Sequence, residues 1–83
     1  MVGTRSVQMS STVELDTRGL LCPLPVLKAA KRLRAMEKGQ TLALLADDPA
    51  AVVDVPHFCN ESGNILVEAE ALEDHNRFLI RKA

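Results

Sequence analysis

The sequence predicts an α/β (α+β) two-layer sandwich: a β-α-β-α-β-β chain with a four-stranded mixed sheet and two helices on one face. Three observations carry this. Strand-type and helix-type hydrophobic periods alternate along the first two thirds of the chain. A short continuous apolar run, Thr41 to Ala46, has the character of a strand buried on both faces. Two alternating segments then close the chain as a hairpin, without room for a further helix.

Residues 1–12 are rich in Ser and Thr and lack period, which predicts a flexible tail ahead of one domain over residues 13–83. Val13 to Asp16 alternates apolar and acidic residues and predicts a short strand. Thr17-Arg18-Gly19 is a turn, and Leu20-Leu21 leads into Cys22-Pro23-Leu24-Pro25. Pro23 to Met36 has helical period, with Val26, Ala29, Ala30, Leu33 and Met36 on one stripe and Lys28, Lys31, Arg32 and Lys38 opposite. Gly39 then serves as a stop.

After the run at 41–46, Asp48 is placed as an N-cap and Pro49 as a first helical residue. Pro56 cannot continue a helix without losing a hydrogen bond. A kinked or two-part helix is therefore expected over 49–62, with Asp54 as a fresh cap and Val52, Val53, Val55, Phe58 and Cys59 on its buried side. Ser62-Gly63-Asn64 ends it. Ile65, Val67, Ala69 and Ala71 are expected on one face of the third strand, opposite Glu68 and Glu70. Glu73 to Asn76 turns, and Arg77 to Arg81 returns as the last strand.

Composition narrows the function. The chain has 83 residues and a net charge of −1, yet Arg18 to Lys38 carries six bases against Glu37 alone, while Asp47 to Asp74 carries eight acids and no base. Aromatic residues make up 2% of the chain, which disfavours a single-strand nucleic-acid binder that stacks bases on rings. Nothing resembles a signal peptide or a membrane span, so a cytoplasmic protein without a structural disulfide is expected. Cys22, His57, Cys59 and His75 lack the paired spacing of zinc ligands, and no phosphate loop occurs.

The chemistry concentrates at Cys22. A cysteine at a helix N-terminus faces free N–H groups and a partial positive charge, a setting for a thiolate. With Cys22 as N-cap, Pro23 and Pro25 remove two donors while holding the sulfur in place. The helix end contributes about 0.3–1 kcal/mol, which lowers a thiol pKa by less than about one. Arg18, Lys28 or a partner is expected to supply the remaining activation. Cys59, next to Phe58 on the core side, reads as structural. A Cys-X-X-Cys dithiol is absent, while a Cys22–Cys59 redox pair or a regulatory interaction module stands as the alternative function.

Leu15-Asp16 to Gly19-Leu20, Cys22-Pro23-Leu24-Pro25, Ala46-Asp47-Asp48-Pro49, Asp54-Val55-Pro56 with Phe58-Cys59, and Phe78-Leu79-Ile80-Arg81-Lys82 together resemble the TusA (SirA-like) family over nearly the whole of Val13 to Lys82. The resemblance implies a sulfurtransferase that acts largely as a carrier. Cys22 would accept sulfur as a persulfide from a cysteine desulfurase or another persulfide donor and pass it to a downstream acceptor protein. The destinations it implies are tRNA thiolation, sulfur oxidation or cofactor assembly. It implies no bound cofactor or metal, no direct nucleic-acid or membrane contact, and a monomer. Leu24 departs from the tRNA-thiolation branch, where an acidic residue stands between the prolines, and favours a more apolar partner surface. Arg18, Lys28, Lys31 and Arg32 are the expected docking residues, placed beside the motif.

Overall fold

A computed structural model describes residues 12–83. The tail expected over 1–12 lies outside the described residues except for Thr12, which opens the first strand. The elements are β1 (Thr12–Asp16), α1 (Leu24–Arg34), β2 (Thr41–Ala46), α2 (Ala51–Ser62), β3 (Ile65–Ala71) and β4 (Asn76–Arg81). The strands form one sheet in the order β1-β2-β4-β3. β1 and β2 are parallel, as a helical crossover requires, while β4 runs antiparallel to both β2 and β3. β4 thus inserts between β2 and β3. The expected fold class is the observed one.

Leu42, Leu44 and Ala46 of β2 join Phe78 and Ile80 of β4 beneath the two helices. Ala29 and Leu33 of α1 and Ala51, Val55 and Cys59 of α2 cover them, and Val13, Leu15 and Leu66 close the edges. Ala43 and Leu45 point to the other face and are also buried. There their register partners are Glu14 and Asp16 on β1 and Leu79 and Arg77 on β4. The apolar run at 41–46 is accordingly buried on both faces.

Five local expectations are corrected. Helix α1 stops at Arg34 rather than Met36, because Ala35 and Met36 donate to Arg32 and Leu33 in a tightened final turn. The Lys82 ammonium then donates to the Leu33 carbonyl at 2.8 Å, a cation at the negative end of the helix. Helix α2 begins at Ala51, after a turn in which Asp48 accepts from the Ala50 N–H at 3.1 Å. It is a single helix with Pro56 inside it, not two parts. Pro56 and Val52, whose carbonyl loses its partner, both lie on the solvent side, where water can replace the missing bond. Val52 and Val53 are 54% and 70% exposed, since the buried stripe is Ala51, Val55 and Cys59 at spacings of four. In β3 a bulge between Leu66 and Glu68 breaks the alternation. Leu66 therefore pairs with buried Ile80 and faces the core, while Ile65 is exposed.

Candidate functional site

The segment between β1 and α1 is tied at Thr17, Gly19 and Cys22 to the end of β2 and to the segment between β2 and α2. The Thr17 N–H donates to the Leu45 carbonyl at 2.8 Å, and the Thr17 hydroxyl, wholly buried, donates to the same oxygen. The Gly19 N–H donates to Asp47 Oδ1 at 2.9 Å. The Cys22 N–H donates to Asp48 Oδ2 at 2.6 Å. One Asp48 carboxylate thus spans the Cys22 backbone and the turn that starts α2. Gly19 is at φ +89, a left-handed conformation that favours glycine.

Cys22 does not occupy the helix cap. Pro23 does, with Pro25 just inside the first turn, and the Cys22–Pro23 peptide is cis. The Leu24 N–H, which the two flanking prolines leave as the donor between them, is taken by the Leu21 carbonyl at 2.8 Å. Leu24 itself is 42% exposed beside the thiol loop, and Pro25 is buried.

The exposed Cys22 lies at a shallow groove of about 320 Å³ between the two helices. Pro23, Val26 and Phe58 supply its apolar lining. Asp54, His57 and Glu61 supply its polar rim from one stripe of α2. The expected electrostatics are reversed here. Hydrogen bonding to the Asp54 carboxylate, then partial desolvation, then the negative charges of Asp54 and Asp48 all push the Cys22 thiol above its ordinary pKa. Arg18 and Lys28 are not among the groups acting on it. The reason is geometric: the acids come from the chain segment that packs against the Cys22 loop, and the bases turn elsewhere.

Arg18 is held by Asp16. Its Nε donates to Oδ1 at 3.0 Å and its Nη2 to Oδ2 at 2.9 Å, which pulls the Asp16 carboxyl down to about 2. Lys28, Lys31 and Arg32 line a second groove with Leu15 and Ala35, on the β1 side of α1. It shares no lining residue with the Cys22 groove. Their placement beside the motif is thus corrected: the helix brings the three bases together, on its other flank.

Cys59 is buried, as expected, and burial pushes its thiol pKa up. Both cysteines are free thiols. Among the described residues no three His, Cys, Asp or Glu side chains gather as metal ligands would, and no helix is long and apolar enough to cross a membrane. The residues missed by the sequence reading are Asp54, His57 and Glu61. Their spacing of three and four, with Phe58 between, marked one face of α2, but nothing local connected that face to Cys22.

Residues 13–82 match the family described as Sulfurtransferase TusA. This chain belongs to the TusA family. Over 70 residues it is 46% identical to the sulfur carrier protein TusA of Allochromatium vinosum, covering 84% of this chain and 92% of that one. Its fold is similar to the crystal structure of a SirA-like protein from Desulfitobacterium hafniense, with a TM-score of 0.73 at 24% identity over 83% of this chain and 95% of that one. The TusA match spans the Cys22 loop, both helices and all four strands except Thr12.

Proposed function

We propose that this TusA-family protein carries sulfur as a persulfide on Cys22. The observation that supports this best is an exposed thiol on a loop stitched to its neighbour by three side chains (Thr17, Asp47 and Asp48) at the mouth of an apolar-floored groove. Such a thiol is presented to another macromolecule rather than enclosed around a small substrate.

The Cys22 thiolate attacks the outer sulfur of a donor persulfide. A bond forms between Cys22 Sγ and that sulfur, the donor's S–S bond breaks, and the donor leaves as a thiolate. An acceptor thiolate then attacks the outer sulfur of the Cys22 persulfide, and Cys22 leaves in turn. No oxidant or bound cofactor enters the balance. The donor is a cysteine desulfurase or another persulfide protein, and the acceptor serves tRNA thiolation, sulfur oxidation or cofactor assembly. The carrier acts as a monomer that meets each partner in turn. Lys28, Lys31 and Arg32, with Arg18 in a smaller role because Asp16 holds it, steer docking onto acidic partner patches.

Incubation with a cysteine desulfurase and cysteine, followed by mass spectrometry, tests the reading. One added sulfur on Cys22, absent from Cys22→Ser and retained in Cys59→Ser, is the expected result. Equal loading of the Cys22→Ser protein would overturn it. Loss of two hydrogens joining Cys22 to Cys59 would favour a redox pair instead.

A further inference from the structure

The thiol that is to exchange sulfur sits among acids. Asp48 comes from the β2–α2 turn, and Asp54, His57 and Glu61 come from α2, while α1 offers Pro23 and Val26 and no charge. Among the described residues no lysine or arginine is ion-paired with Asp48, Asp54 or Glu61. The basic flank of α1 cannot serve them, because its bases line the other groove. The site thus combines an apolar lining with carboxylates that no lysine or arginine among the described residues neutralises.

We propose that the Cys22 groove receives a partner segment carrying a lysine or arginine next to an apolar side chain. The cation pairs with Asp54 beside the thiol, with Glu61 two turns further along α2 adding to the attraction, and the apolar side chain lies on Pro23, Val26 and Phe58. Pairing draws the Asp54 carboxylate away from the thiol and offsets the negative charge around it, so the Cys22 pKa falls back toward its ordinary value and the thiolate share rises on docking. Asp54 is a positioning residue in this scheme, not a base. A carboxylate is far too weak to take a proton from a thiol whose pKa lies several units higher. The inference rests on the carrier reading for what docks, but its charge preference is measurable without a sulfur donor.

The test uses three small disulfides as probes on the full chain: cystamine (cationic), hydroxyethyl disulfide (neutral) and dithiodiglycolate (anionic). Exchange at Cys22 is followed by mass spectrometry at low salt. Cystamine is expected to react about 5- to 10-fold faster than the neutral probe, and the anionic one slower still. Asp54→Asn is expected to cut the cystamine advantage to about twofold. It is also expected to move the pH midpoint of Cys22 alkylation by iodoacetamide downward, which a merely structural role would not do. A faster anionic probe, or an advantage and midpoint unchanged by Asp54→Asn, overturns the inference. A protein that shows the charge preference yet takes no sulfur from a desulfurase refutes the carrier reading alone. One that loads sulfur without the preference refutes this inference alone.

Discussion

The two flanks of α1 are electrostatic opposites. On the α2 side lies Cys22 with an apolar lining and a rim containing Asp54 and Glu61. On the β1 side lie Lys28, Lys31 and Arg32 with Leu15 and Ala35. Both grooves are built on the same eleven-residue helix, and both are near one reactive loop in sequence. The contrast shows that a charge's effect on a thiol follows through-space placement. Lys28, six positions away in sequence, is not among the groups acting on Cys22, while Asp54 and Asp48 from a distant stretch of chain push its pKa up. In the proposed scheme the labour is divided: the basic flank attracts a partner over distance, and the acidic groove reads a cation at close range.

The largest test of this contrast is to loosen the seam that separates the flanks. Leu33 is 1% exposed beneath α1. Leu33→Ala is expected to cost about 2–5 kcal/mol in urea denaturation. If the protein lost less than about 1 kcal/mol, Leu33 would not be what anchors α1 between the two grooves.

Charge reversal on the basic flank is next. Lys28→Glu with Arg32→Glu is expected to slow sulfur uptake about tenfold at low salt and to matter little at high salt. Stopped-flow or timed mass spectrometry reads this. Equal rates at low salt would remove the steering role.

Asp48→Ala sharpens the acidic side. It removes the acceptor for both the Cys22 and Ala50 N–H groups. A loss of about 1–2 kcal/mol in thermal or chemical unfolding is expected, with slower uptake as the loop loosens. Unchanged stability would mean that water replaces the carboxylate without cost.

The smallest effect concerns Asp16 and Arg18. The folded-state Asp16 pKa is depressed to about 2, so the pair's stabilisation is present above the ordinary carboxylate value and is lost as pH falls from about 4 through about 2. An NMR titration should place Asp16 near 2, and Arg18→Gln should return it toward 3.8. Both groups are exposed, so the effect on unfolding should be slight. A normal Asp16 titration in the unaltered protein would free Arg18 to join the basic flank.

Much of this molecule was legible before any coordinates. Helical and strand periods located all six elements, because burial on one face imposes its spacing on the residues. Gly63 ends α2 with φ +83, as a left-handed stop should. Cys22 stood out as the exposed thiol and Cys59 as the buried one, since a Pro-flanked loop and an apolar helix stripe place sulfur differently. The β3 bulge was not legible, and Pro56 left open whether α2 runs through it or splits. Both depend on what the neighbouring strand or the solvent supplies, and a single segment does not encode that.

By itself the sequence determined the element order, the family and which of the two cysteines is exposed, because period and motif are properties of neighbouring residues. The tertiary structure alone decided that β4 lies between β2 and β3, that the bases of α1 turn away from Cys22, and that Asp48 and Asp54 turn toward it. The physical reason is that hydrogen bonds and Coulomb interactions act across a few ångströms of space. Packing two helices side by side brought together groups that the chain keeps far apart.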